Sequence, residues 1–174
     1  MKHQLLVFSL FIVMGSLLPV NGQVTKKTKV FLLAGQSNMD GRGDASKLTE
    51  EDLKGLSFAQ KRIQFYYKGS VQNISAPLIM DDVLDVTDPW QFVKEKFRLE
   101  TCFGPELFFG INLSKAYPTH NFLFIKRVQG GTSLYGAWNA DWSIEKAKLI
   151  NEENKPRLFA DFISTTDKQL SKLP

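Results

Sequence analysis

Four consecutive apolar residues, Val30-Phe31-Leu32-Leu33, run through Ala34-Gly35 into the polar stretch Gln36-Ser37-Asn38. A short apolar run closed by a glycine turn is the pattern of a buried strand. It predicts a strand over residues 29–33 whose carboxyl end delivers Gln36, Ser37 and Asn38. Ile63 to Tyr67 offers a second strand, either within a sheet or at the edge of a hairpin, and LTEEDLKGL before it suggests a brief helical turn. Residues 68–92 read as a long surface excursion. FGPELFFGINLSKAYP then places Pro105 at a first helical position, repeats apolar residues at Leu107, Phe108, Ile111 and Ala116, and stops before Pro118. Gly110 lowers the propensity of that helix but permits close packing. A further strand over about 121–127 ends in Gln129-Gly130-Gly131-Thr132-Ser133, and Asp141 to Leu173 reads mostly as helix with a break at Pro156. Strand, helix and strand, with glycine-rich turns after both strands, predict an α/β fold built on a parallel sheet with crossover helices.

The two glycine-rich turns carry the candidate chemistry. At the carboxyl edge of adjacent parallel strands, Ser37 presents a hydroxyl, and the backbone N–H groups of Ser37 and Gly131 face a common small volume. An acyl-transfer site needs such a volume, because its tetrahedral intermediate bears a negative oxygen that preorganised donors stabilise. The hydroxyl itself stays a poor nucleophile until a base takes its proton. On spacing alone, a helix cap and a phosphate-binding nest remain open alternatives. The stretch is neither G-x-S-x-G nor a Walker A loop.

The first residues change the domain boundaries. Lys2 precedes an apolar stretch from Leu5 to Leu18, followed by Pro19-Val20-Asn21-Gly22, with Val20 and Gly22 as the small residues of a cleavage site. Residues 1–22 are expected to be a secretory signal peptide and residues 23–174 the domain, secreted or periplasmic. The apolar stretch is short of the about 20 residues a membrane span requires, so no stable membrane anchor is expected after cleavage. The net charge of +4 falls by one when the leader is removed, and the basic residues are dispersed, so nucleic acid is not an expected partner. The single cysteine, Cys102, excludes an internal disulfide framework and is expected to be buried rather than reactive. Oligomeric state is left open.

GQSNMDGRG at 35–43, GPELFF at 104–109 and GGTSLYGAW at 130–138 together resemble the successive blocks of the carbohydrate-esterase branch of the SGNH hydrolases, which contains sialate O-acetylesterase-like proteins and acetylxylan esterases. The resemblance covers residues 29–138. It implies a three-layer α/β/α sandwich with a parallel, flavodoxin-like sheet, and an O-acetylesterase acting on acetylated carbohydrate without a cofactor. It further implies that Ser37 is the nucleophile and that Ser37 and Gly131 supply oxyanion-hole N–H groups, with Gly130 as the other member of the pair. Gln36, Asn38, Gly130, Thr132 and Trp138 are expected to line the substrate site, and Glu106 of the GPE block to be structural.

The same resemblance implies two features that the chain lacks: a W-x-Q-G-E-like segment completing the oxyanion hole, and an Asp-x-x-His that activates the serine. Its histidines are His3, in the leader, and His120, which follows Tyr117 by three positions where the motif needs an aspartate. His120 is expected at the start of a strand, roughly 15 Å or more from Ser37 and far beyond proton-transfer distance. The expectation is a domain cut short after FADFISTTDKQLSKLP and inactive alone; the alternatives are a non-catalytic carbohydrate-binding protein using the same cleft, and a base supplied by another chain. Asp81, Asp82, Asp85 and Asp88 lack the spacing of a calcium loop, and no H-E-x-x-H occurs, so no metal is implied. Arg42-Gly43-Asp44 is absorbed by the serine block. The glycosylation sequons at Asn73 and Asn112 matter only in a host that glycosylates.

Overall fold

The structure is a computed structural model and describes residues 27–70 and 77–174; the leader and the Asn73 sequon lie outside them. The strands are β1 (Thr28–Gly35), β2 (Gly43–Asp44), β3 (Ile63–Lys68), β4 (Ile79–Val83), β5 (Cys102–Phe103) and β6 (Asn121–Val128). The helices are α1 (Ser37–Asp40), α2 (Glu50–Gln60), α3 (Gln91–Phe97), α4 (Pro105–Ala116), α5 (Ile144–Leu149) and α6 (Leu158–Leu170). One sheet has the order β1-β6-β3-β4, with β6 parallel to both β1 and β3; β2 and β5 form a separate antiparallel pair. The expected strands at 29–33, 63–67 and 121–127 are all present. Ile63–Lys68 satisfies both readings offered for it, since it pairs in parallel with β6 and forms an antiparallel pair with β4 on its other side. β4 is the addition: it lies in the stretch read as a surface excursion, and its Ile-Met-Asp-Asp-Val sequence carries little strand signal.

Local chemistry accounts for the helices. Thr49 caps α2 in a reciprocal box with Asp52, and Glu50, Glu51 and Asp52 in the first turn complement the positive end of the helix dipole. Pro105 starts α4, where its missing N–H costs nothing. α2 and α4 cover one face of the sheet through Leu56, Ala59, Leu107 and Ile111 against Ile63, Phe65, Phe122 and Phe124. The lack of a side chain at Gly110 allows this approach, because a Cβ there would stand 2.3 Å from Leu84 Cδ2. α6 covers the other face through Phe162 against Leu123 and Ile125, completing an α/β/α sandwich.

β6 is buried from Phe122 to Val128, as a central parallel strand should be, yet it contains Lys126 and Arg127. Adjacent strand residues point to opposite faces, so each charge requires its own partner layer. Lys126 pairs with Glu106 of α4 at 2.6 Å, both side chains being 1% exposed. Arg127 and Lys68 both pair with Asp161 of α6, each at 2.6 Å. Burial pulls the Asp161 carboxyl upward, but hydrogen bonds from Lys68 and Arg127 outweigh it and hold the group below its ordinary value. A depressed carboxyl stabilises the fold above its unfolded pKa of about 3.9 and loses that contribution as pH falls through the folded value. Asp161→Asn is therefore expected to lower the urea midpoint at pH 7 by the equivalent of about 2 kcal/mol, less than for a fully enclosed pair because Asp161 is partly exposed. The gap between variant and parent should narrow below pH 4; a gap that is constant with pH would show that the pairing is not its source.

Candidate active site

Register determines where the site lies. β1 and β6 run in step from Thr28 opposite Asn121 to Gly35 opposite Val128, while β3 keeps step with β6 as far as Lys68 opposite Arg127. Three parallel strands thus end together, and the turns leaving them, Gln36-Ser37, Gly69-Ser70 and Gln129-Gly130, emerge side by side. The Gln129 N–H extends the ladder one step by donating to Gly35 O at 3.1 Å. The carboxyl edge of parallel strands is where α/β folds place their ligands.

Ser37 is the first residue of α1, and Gln36 precedes it as a cap whose carbonyl accepts from the N–H groups of Met39 and Asp40, both at 2.9 Å. The N–H groups of Ser37 and Asn38 have no partner among the described residues, as expected in a first helical turn. Gly130 is the part of the second turn that abuts the serine: a Cβ on it would lie 4.0 Å from Ser37 Cβ, 3.9 Å from Ser70 Oγ and 4.0 Å from Trp90 Cζ2. Its N–H is occupied, donating to Ser70 Oγ at 3.0 Å. Gly131 is exposed, has the left-handed φ of 67° that favours glycine, and has no atom within 4 Å of the position its Cβ would take. Its N–H has no partner among the described residues.

Beyond Gly131 the GGTSLYGAW segment is held from below. Thr132 Oγ1 donates to Gln129 O at 2.7 Å and accepts from Trp138 Nε1 at 3.1 Å. Buried Glu152 accepts the Ala137 N–H at 2.7 Å, and the Leu158 N–H donates to Ala137 O at 2.7 Å. The result is a cleft of ≈ 310 Å³ in which Gln36, Thr132, Leu134 and Trp138 are among the walls. Its volume is at the lower end of small-molecule sites. Gln36, Thr132 and Trp138 therefore share one cleft, with Ser37 and Gly130 beside it.

Under the serine turn is a polar network. Asp40 Oδ1 accepts from Tyr67 Oη at 2.6 Å, Asp40 Oδ2 accepts from Ser70 Oγ at 2.9 Å, and Lys126 Nζ donates to Asp40 O at 3.0 Å. Burial, followed by the proximity of Asp40 and their hydrogen bond, pushes the Tyr67 phenol far above its ordinary value. Glu106 also accepts the Gly104 N–H at 2.9 Å, so the acid of the GPE block has a structural role in holding Lys126 and the start of α4. Sequence reading missed Asp40, Tyr67, Ser70, Trp90 and Lys126. The available signal was Gly69-Ser70 at the end of a strand, the same grammar as Gly35-Gln36-Ser37.

His120 immediately precedes β6, at the opposite end of the sheet from Ser37. The eight residues of β6 at about 3.3 Å each separate them by roughly 25 Å. Its ring stacks on Phe122 and meets Tyr117 edge-on. The remaining candidates are used locally. Cys102 is buried, which raises its thiol pKa. Asp81 pairs with Lys172, while Asp82 and Asp85 accept the N–H groups that follow them. Arg42 lies on the Phe97 ring and Asp44 accepts from Ser46. The serine of the Asn112 sequon, Ser114, is wholly buried in α4.

Residues 27–172 match the family described as carbohydrate esterase, sialic acid-specific acetylesterase. No match was found among curated proteins or among solved structures. With the serine block, the GPE block and the GGTS block brought together by the sheet in a match that spans most of the chain, the protein belongs to the carbohydrate esterase, sialic acid-specific acetylesterase family.

Proposed function

We propose that this chain is a carbohydrate O-acetylesterase-type serine hydrolase domain acting on acetylated sugars or polysaccharides, exported by its leader, with Ser37 as nucleophile. The observation that carries the proposal is the placement of Ser37 at the head of α1, against Gly130 and beside the Trp138 cleft. Ser37 Oγ attacks the acetyl carbonyl, the sugar hydroxyl departs with a proton as the C–O bond breaks, and water then releases acetate from the serine. The unpartnered N–H groups of Ser37 and Gly131 are the oxyanion donors, since the Gly130 N–H is already bonded to Ser70. Gln36, Asn38, Gly130, Thr132 and Trp138 receive the sugar.

No Asp-x-x-His occurs in the sequence, and His120 lies a strand's length away. No histidine of this sequence is therefore the base that activates Ser37 in this reading, and this chain alone turns over little substrate. The same observation favours the second reading, a carbohydrate-binding protein that uses the cleft without chemistry.

A p-nitrophenyl alkylphosphonate in excess separates the two. The esterase reading expects slow phosphonylation that peptide mass spectrometry maps to Ser37 and that Ser37→Ala abolishes, while binding of an acetylated monosaccharide survives the substitution. Binding of acetylated and deacetylated sugar alike, with no adduct at Ser37, would leave only the binding reading.

A further inference from the structure

We infer that Ser70, at the end of β3, is a positioning residue for the Ser37 site: its hydroxyl joins the serine turn to the Gly130 turn and sets the direction of the peptide between Gln129 and Gly130. The two turns come from different strands, and this hydroxyl joins them in addition to the pairing of the sheet. Ser70 Oγ donates to Asp40 Oδ2 at 2.9 Å, three residues beyond Ser37 on the same short helix, and accepts the Gly130 N–H at 3.0 Å. Both ends are anchored. Asp40 is held independently by Tyr67 through its side chain and by Lys126 through its carbonyl. Gln129 is held by its ladder bond to Gly35 and by the Thr132 hydroxyl on its carbonyl. Ser70 is itself 6% exposed, so no water competes freely for its oxygen.

The chemical consequence concerns which amide serves the site. With its N–H committed to Ser70, Gly130 presents to Ser37 only a Cα without a side chain, and the chain turns at Gly131 with φ 67°. The next N–H, that of Gly131, is then the unpartnered one. Without the Ser70 hydroxyl the Gly130 N–H loses its partner, and the peptide is held only from its carbonyl side by Thr132, replacing a donor fixed at both ends with a less firmly fixed one. Preorganised donors owe their effect to not having to reorganise during reaction, so this mobility is a loss for the chemistry even where the fold survives. The functional half of the inference rests on the acetylesterase reading; the hydrogen-bonding half does not.

The test uses the full chain, ¹⁵N-labelled, as parent, Ser70→Ala and Ser70→Thr. Hydrogen exchange of the Gly130 amide is expected to be slow in the parent, about five- to tenfold faster in Ser70→Ala, as the loss of one net hydrogen bond implies, and slow again in Ser70→Thr. The rate of Ser37 phosphonylation should fall in Ser70→Ala and recover in Ser70→Thr. Fast Gly130 exchange in the parent overturns the inference without any variant, which covers the case in which Ser70→Ala fails to fold. Accelerated exchange with an unchanged phosphonylation rate also overturns it, because Ser70 would then be structural only. A parent that shows slow Gly130 exchange but no adduct at Ser37 counts against the esterase reading, while the Ser70 to Gly130 link is still decided by exchange.

Discussion

Glu106→Gln is expected to destabilise the protein by about 3–5 kcal/mol, because it leaves the Lys126 ammonium enclosed without a counter-charge. Both side chains are 1% exposed and meet at 2.6 Å, so neither has recourse to water. Glutamine retains an oxygen for the Gly104 N–H and nearly the same volume, which isolates the charge as the cause. At about 2–4 °C per kcal/mol for a chain of this size, the melting temperature should fall by about 6–20 °C. Pairing it with Lys126→Met should recover much of the loss, since two apolar or neutral groups remove the unpaired charge that makes the single variant costly. Additive losses in that double variant, measured by urea denaturation, would mean that the pair is not the unit of stability. Lys126 also holds the carbonyl of Asp40, so the single variant should loosen the serine turn before it melts the sheet.

The second large effect concerns turnover. Removing the base from a serine triad costs about 10⁶ in kcat in the best-studied protease, and the residual rate is due to the oxyanion donors and binding. Hydrolysis of an activated acetyl ester by this chain is therefore expected to fall short of a complete serine esterase by about that factor. Added imidazole should raise the rate in a saturable manner, because His120, the one histidine among the described residues, lies a strand's length from Ser37. The Ser37→Ala protein with the same imidazole provides the background. An enzyme-like rate without imidazole, dependent on Ser37, would mean that a base is present after all; equal stimulation of the two proteins would mean that Ser37 is not the nucleophile.

Much of the sheet was legible because its parallel strands are short apolar runs ended by glycine. Val30 to Leu33 and Phe122 to Ile125 are of that kind, and so is the Pro105 helix between them. β4 was not, since Asp81 and Asp82 interrupt it and its strand character comes from pairing with β3 rather than from its own residues. The position of Ser37 just beyond the first strand was legible from its turn. Its support was not, because a hydrogen-bond network is a property of side chains brought together from distant positions. Asp40 and Tyr67 are 27 residues apart, and Gly130 and Ser70 are 60 apart. The glycine at the end of β3 is the one local mark on Ser70, and it says nothing of the partners that the hydroxyl meets. The strand expected over about 121–127 includes Lys126 and Arg127, and the layers above and below the sheet explain why adjacent charges sit in its centre.

The Tyr67 phenol has a consequence for polarity. A phenol held so far above its ordinary value remains protonated across the alkaline range in which the protein would be handled, so it is always the donor to Asp40 Oδ1. Asp40 can then only accept, the Ser70 hydrogen is committed to Oδ2, and what Ser70 offers the Gly130 N–H is a lone pair. The protons of these contacts converge on Asp40, directly from the Tyr67 phenol on one side and from the Gly130 amide through the Ser70 hydroxyl on the other. Alkali has no proton to remove that would reverse it. An alkaline change in the behaviour of the site would thus not originate in the Tyr67 phenol.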